Sequence, residues 1–327
     1  MTAFSLIVKK SIEQSYRQKK RESMRTENEM MNLILQLAKD DDRIRCVYLT
    51  GSRANPNVEK DNYQDFDVVF VVTETASFLQ EDSWRASLGE IAMMQEPLSS
   101  YLGWGEGNDP NECYTWLMLF KDGQRIDLQL HSLQVAKRNF LAESLTVTLL
   151  DKDAFLPINE APSDHHYWIA KPSQAEFLAC CNEFWWCLSN VGKGLVRQQL
   201  PYALRMYHET SHAELDKMIE WAIGLTYDYQ VNTGLWGKYF RDYLSEKDYN
   251  HYLKTYASGD VSHIWTAVWM AVEMFQEKAR DVAHAFDYPY HQEEETAIIC
   301  YLKGLKATTE FTESQKSGRG MNDEYPQ

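Results

Sequence analysis

The chain is short of positive charge. Its 327 residues carry 33 Lys and Arg against 48 Asp and Glu, a formal net charge of −15. A general nucleic-acid binder needs a basic face to displace counterions from phosphate, so that class is disfavoured and a cationic small substrate suits the chain better. Cysteine is sparse, and the six present (Cys46, Cys113, Cys180, Cys181, Cys187 and Cys300) show no Cys-x-x-Cys spacing. That argues against a zinc site or a disulfide framework and leaves reduced core thiols in a cytoplasmic protein as the expectation. No apolar run approaches the roughly 18 residues that cross a bilayer. The chain starts apolar and then turns basic, the reverse of a secretory leader. Internal repeats are absent. Gly192 and Gly194 flank Lys193 without the strand-then-glycine context of a phosphate loop. The adjacent His165 and His166, and His208 with His212 across a helix end, lack the setting of a metal site.

What is present divides the chain in two. Residues 1–23 hold six Lys or Arg against two Glu, leaving −19 on the rest. They read as an extension outside the fold, which is expected to start at Met24. Thr26-Glu-Asn-Glu29 has the spacing of a helix capping box, and Met30, Leu33, Ile34, Leu37 and Ala38 follow at helical intervals. A strand is expected over Ile44–Leu49, then a Gly51-Ser52 turn, then a strand from Asp65 to Val72 apolar enough to be buried on both faces. The pattern predicts a helix over Ser83–Met94. Asp122-Gly123 predicts a hairpin between Cys113–Phe120 and Arg125–His131. From about residue 160 helical periods dominate: Phe177–Ser189, Gly194–His208, Glu214–Ile223 and Ser262–Phe286. Seven of the ten tryptophans lie in this half. The expected domains are therefore 24–158, mixed sheet, and 159–307, all helical, with a fraying polar tail over 308–327.

The chemistry concentrates between residues 51 and 127. On a strand, residues i and i+2 share a face about 6.5 Å apart, so Asp65 and Asp67 can converge on one cation or a pair. Asp127 projects from the second hairpin strand, on the face opposite Ile126, Leu128 and Leu130. Crowded carboxylates are costly unless a cation compensates them. Oxygen-only ligands select hard cations such as Mg²⁺, and two such ions can neutralise an in-line phosphoryl displacement. The Gly51-Ser52 turn offers backbone N–H groups, a hydroxyl and room for phosphate. Arg53 either adds a charge there or turns to Asp61 or Glu59.

Gly-Ser, a spacer, Asp-x-Asp and a later third carboxylate resemble the aminoglycoside nucleotidyltransferases of the DNA polymerase beta-like superfamily. Met24-Arg-Thr-Glu, Leu49-Thr-Gly-Ser-Arg-Ala-Asn55, Asp65-Phe-Asp-Val-Val-Phe70 and Lys193-Gly-Leu-x-Arg197-x-x-Leu-Pro-Tyr-Ala203 resemble, more narrowly, the streptomycin 6-adenylyltransferases of Gram-positive bacteria. The likeness runs from Met24 to about residue 305. It implies an α+β protein, a nucleotidyltransferase domain followed by an all-helical substrate-binding domain. It also implies AMP transfer from ATP, with two Mg²⁺ ions, to a cationic aminoglycoside. Asp65 and Asp67 would hold metal, and Asp127 would ligate metal or take the acceptor's proton. Gly51, Ser52 and Arg53, with Lys193 and Arg197 four apart on a helical face, would contact ATP. Lys193 and Arg197 alternatively pair with surface acids. Glu176 and Glu183, then Asp164, are the candidate guanidinium partners, and Trp185 or Trp186 would wall the sugar rings. The rival readings are another small acceptor, a protein side chain modified by AMP, and a catalytically dead binding module. A monomer or weak dimer is expected, with no nucleic-acid or membrane partner.

Overall fold

The structure is a computed structural model that describes residues 24–97, 109–158 and 161–319, the stretch 312–319 by backbone alone. The expected extension over 1–23 and the tail's end over 320–327 lie outside the described residues. The chain divides into two compact units between His166 and Tyr167, where the sequence pattern placed the change near residue 159.

In the first unit the capping box forms as read. Thr26 Oγ1 accepts from Glu29 N, and the Glu29 carboxylate accepts from Thr26 N at 2.7 Å, opening helix α1 (Glu27–Asp40). The sheet that follows contains β1 (Ile44–Leu49) and β2 (Phe66–Val72), with the short helices α2 (Ala76–Gln80) and α3 (Ser83–Ala86) after them. Then come β3 (Ile91–Gln95), β4 (Cys113–Phe120), β5 (Arg125–Ser132), helix α4 (Leu133–Phe140) and β6 (Val147–Asp151). The strand order is β3-β4-β5-β2-β1-β6. The expected hairpin joins β4 to β5 through Gly123, whose φ of 93° suits glycine. β2 lies between β1 and β5, antiparallel to the first and parallel to the second, which buries both its faces as its apolar run requires.

Those faces carry different residues. Phe66, Val68, Phe70 and Val72 pack with Ile126, Leu128 and Leu130 of β5 and with Met30, Ile34 and Ala38 of α1. On the other side Val69 and Val71 pack with Tyr48, Ala136 and Phe140, the last two from α4. Asp67 shares the second face by the strand period.

The helix expected over Ser83–Met94 does not form. It stops at Ala86, and Ile91–Gln95 pairs with β4 instead. Gly89 has φ 131°, and a Cβ there would lie 2.9 Å from the Arg25 guanidinium, which bonds the Leu88 carbonyl. The helical spacing was outweighed by an edge-strand pairing that only long-range contact supplies.

The second unit is helical. α5 (Gln174–Val196) exceeds its predicted span at both ends and buries Phe177, Cys181, Phe184, Leu188, Val191 and Leu195 at three- and four-residue intervals. A break then separates it from α6 (Leu200–Met206), so the single helix expected over Gly194–His208 is two. Gln198 adopts φ 57°, and Pro201 starts the next helix. A π-helical turn, Tyr207–Ser211, leads into α7 (His212–Thr226). After α8 (Phe240–Tyr243) and α9 (Glu246–Leu253), the long α10 (Val261–Phe286) stacks Phe275 on Phe184 at 3.7 Å between ring centroids. The last helix, α11 (Gln292–Arg319), runs through the region read as a fraying tail. Thr309 is buried there, its hydroxyl bonded to the Leu305 carbonyl at 2.9 Å. Gly192 is where α11 comes close, since a Cβ would lie 2.7 Å from Leu305. Gly194 similarly admits Ala203 of α6, so both glycines serve helix packing. All six cysteines are free thiols. No helix among the described residues is long and apolar enough to cross a membrane.

Candidate active site

The parallel pairing of β2 with β5 sets Asp67 directly opposite Asp127. Both stand at the starts of their strands, and Asp65 precedes β2 by one residue. The Gly51–Arg53 turn sits against this pair. Thr50 N donates to the Asp67 carbonyl at 3.0 Å, and Gly51 has φ 68°. A Cβ on Gly51 would collide with Asp67 Oδ2. Glycine is therefore required twice over, by its backbone and by the carboxylate beside it. The Ser52 hydroxyl has no hydrogen-bond partner among the described residues, and the first N–H groups of such a turn have no intrahelical acceptor.

Electrostatics separates the three aspartates. Burial pushes the Asp67 carboxyl up to about 6, with the nearby charges of Asp127 and Asp65 adding to it. Asp65 is raised by burial and by Asp127, against the opposing pull of Arg125. Asp127 is held bidentately by Arg125, Nε to Oδ1 and Nη2 to Oδ2, both at 2.7 Å. Arg125 Nη1 also lies 3.3 Å from Asp65 Oδ2. The bonds to Asp127 hold the guanidinium more firmly protonated than usual. No protein donor reaches the Asp67 carboxylate among the described residues.

The donor set fits a hard divalent cation. It is all oxygen, and Asp67 is a desolvated carboxylate flanked by two acids, the condition such a cation relieves. Asp127, however, is turned into Arg125. Among the described residues no three acidic, His or Cys groups are gathered as ready ligands.

Arg53 takes a structural role in place of the expected ATP contact. Its side chain is 2% exposed. Nε donates to the Asp65 carbonyl at 3.1 Å and Nη2 to the Gln64 carbonyl at 2.6 Å, and Nη1 lies 3.5 Å from Glu27. The guanidinium stacks on Phe66 at 3.7 Å. Burial lowers its pKa. The loop carbonyls claim this cation because they end at a buried strand and need donors. Asp164, third among the proposed guanidinium partners, is buried and accepts from Asn57 Nδ2 at 3.0 Å and from Asn55 Nδ2 at 3.4 Å. It ties the end of this unit to the loop after Gly51.

The residues named in the helical unit have mixed fates. Glu176 is the capping-box partner of Ser173, accepting its N–H at 2.8 Å, and the Ser173 bonds lower its pKa. Glu183 accepts from Cys187 Sγ at 3.2 Å. Both border an open depression shared with Glu214, Lys217 and Trp221. Trp185 is 3% exposed, wedged edge-on against Phe184 and Phe275, whereas Trp186 is 64% exposed. Trp185 is thus a core residue, because α5 turns it into the unit's interior in place of the expected sugar wall. Lys193 lies in the last turn of α5 and Arg197 is its C-cap. Neither has an acidic partner among the described residues, so both cations are available to an anion.

Arg125 escaped sequence reasoning, although its signal was present. It stands two residues before Asp127 on the same strand and so must share its face.

The chain is similar to proteins already known. A family model for streptomycin adenylyltransferase matches residues 24–305. The chain is 34% identical over 284 residues to an aminoglycoside 6-adenylyltransferase of Bacillus subtilis (strain 168), covering 86% of this chain and 98% of that protein. It is 35% identical over 267 residues to the protein of the same name from Campylobacter jejuni, covering 82% and 91% respectively. A crystal structure of an aminoglycoside 6-adenyltransferase from Bacillus subtilis aligns at 30% identity and a TM-score of 0.43, covering 86% of this chain and 99% of that one.

Proposed function

The chain belongs to the streptomycin adenylyltransferase family, and from that premise we propose that it transfers AMP from ATP to the 6-hydroxyl of streptomycin, releasing pyrophosphate. The observation carrying this reading is the register that sets Asp67 opposite Asp127 beside Gly51. The acceptor is inferred from the family description and the 6-adenylyltransferase names of the relatives. The net charge of −15 supports it, because a guanidinium-bearing substrate is drawn to an acidic protein.

In this reading Asp65, Asp67 and Asp127 would hold two divalent ions. Bound there, Mg²⁺ would neutralise the triphosphate and the attacking and leaving oxygens. The acceptor hydroxyl oxygen forms a bond to the α-phosphorus as the bond to the β-phosphate oxygen breaks, and pyrophosphate leaves with that electron pair. Asp127 would either complete the metal site or take the acceptor's proton. Gly51 keeps the turn close to Asp67, Ser52 presents its hydroxyl, and Lys193 and Arg197 supply charge for phosphate. Inactivation of the antibiotic, and hence resistance, follows from the same transfer.

The test is incubation with MgATP and a panel of aminoglycosides, following pyrophosphate and locating the adenylyl group by mass spectrometry and NMR. Streptomycin modified on its 6-hydroxyl is expected. Turnover of a different acceptor with streptomycin untouched would overturn the substrate assignment while leaving the reaction class in place.

A further inference from the structure

Arg125 has no part in the scheme above, yet it makes the strongest contacts in the site. It grips both oxygens of Asp127 at 2.7 Å and reaches Asp65 at 3.3 Å. A carboxylate held bidentately by guanidinium has one lone pair of each oxygen engaged and its charge already compensated, so it is a poorer ligand for a cation than a free carboxylate. Two of the three site aspartates are therefore engaged by one side chain. That side chain is 41% exposed and is not built into the core, unlike Arg53, which is 2% exposed and bonded to two backbone carbonyls. One arginine in this site is tied to backbone carbonyls, and the other is partly exposed and bonds only carboxylates.

The geometry points to Arg125 as an exchangeable counter-ion. It holds Asp127 and Asp65 closed against free divalent cations and is displaced when metal arrives with the nucleotide, whose phosphates then take the guanidinium. This rests on the reading that these aspartates hold divalent metal. It adds a positioning role for Arg125: a site that takes bare metal weakly and metal together with triphosphate more tightly. The exchange costs little because each partner is replaced by one of like sign. The cation takes the place of the guanidinium on the carboxylates, and phosphate takes the place of carboxylate on the guanidinium.

The proposal predicts opposite signs for two affinities. In the full-length, metal-stripped protein, free Mn²⁺ is counted by electron paramagnetic resonance without nucleotide. Arg125→Ala is expected to bind Mn²⁺ on the order of tenfold tighter than wild type, and to bind MnATP on the order of tenfold more weakly. Arg125→Lys, which keeps the charge but loses the fork, is expected to fall between. Adding Asp127→Asn to Arg125→Ala should remove the Mn²⁺ gain, since the freed carboxylate is its source. Equal or weaker binding of bare Mn²⁺ by both Arg125→Ala and Arg125→Lys would overturn the proposal, as would a gain that survives Asp127→Asn. A merely structural Arg125 would move both affinities down together. These readouts need no acceptor, so they stand apart from the streptomycin assay. A wild type that modifies no aminoglycoside sinks the function, whereas a missing Mn²⁺ gain sinks only the counter-ion.

Discussion

Acidic residues do different things in the two units. In the sheet unit Asp65, Asp67 and Asp127 cap no helix and close no turn, and the fold tolerates the desolvation of Asp67. In the helical unit Glu176 completes a capping box and Glu183 accepts from a thiol one turn along its own helix. Arginine divides in the same way within the sheet unit, with Arg53 built into a loop and Arg125 lying over the carboxylates. The lesson concerns distance along the chain. A polar side chain that finds a partner within four residues is generally part of local structure. Asp67 instead faces Asp127 across the β2–β5 pairing with no donor of its own among the described residues, and a desolvated carboxylate crowded by others marks chemistry.

The largest effect expected is at Asp67. Asp67→Asn should lower turnover by at least on the order of 10³-fold while circular dichroism stays native, and retained turnover with ordinary metal dependence would erase the contrast. Asp127→Asn should cost about 10²-fold or more, and a near-wild-type rate would remove Asp127 from the chemistry. Trp185→Ala sharpens the contrast from the other unit. It should destabilise the protein by about 3–5 kcal/mol with little change in KM for the acceptor. A raised KM at unchanged stability would return Trp185 to the substrate.

The pH dependence of Asp67 is the next smaller effect. Its carboxyl sits near 6 in the folded chain, above the usual carboxylate range, so the folded state binds that proton more tightly than the unfolded state does. Metal-free stability from this group is therefore fully present at low pH and is lost as pH rises from about 4 to about 6. Asp67→Asn should flatten that slope and stabilise the metal-free protein at pH 7.5 by about 1–2 kcal/mol, as read by urea denaturation. Activity should run the other way, falling at acid pH as protons compete with metal for Asp67, with a midpoint below that of the metal-free group because a bound cation favours the charged carboxylate. Lys193→Ala should raise KM for ATP about tenfold, near 1.4 kcal/mol, without loss of stability, and an unchanged KM would move Lys193 to the solvated surface. Smallest is Ser173→Ala, expected to cost about 1 kcal/mol of stability with kinetics unchanged. A kinetic defect there would mean that Glu176 serves substrate as well as the helix.

Much of this was legible before the fold. Thr26 with Glu29 defined a helix start, Asp122-Gly123 a hairpin, and the unbroken apolar run after Asp67 a strand buried on both faces, because each is written in a short stretch of neighbouring residues. The long α10 was legible for the same reason, its apolar face repeating at helical spacing. The helix read over Ser83–Met94 failed because the pairing of Ile91–Gln95 lies outside its window. Trp185 and Trp186 are adjacent and chemically identical, so only the direction in which α5 faces its core could tell one from the other.

By itself, the sequence determined that Asp65 and Asp67 share a face, that a glycine turn precedes them and that a third aspartate stands on a strand of its own. The strand period and local turn chemistry require no more than that. Tertiary structure decided that β5 runs parallel to β2 in the register placing Asp127 beside Asp67, that Arg53 serves the loop, and that Arg125 reaches Asp65 as well as its own strand's Asp127. Those outcomes depend on which apolar faces bury one another across the whole sheet, a competition that no window of neighbouring residues contains.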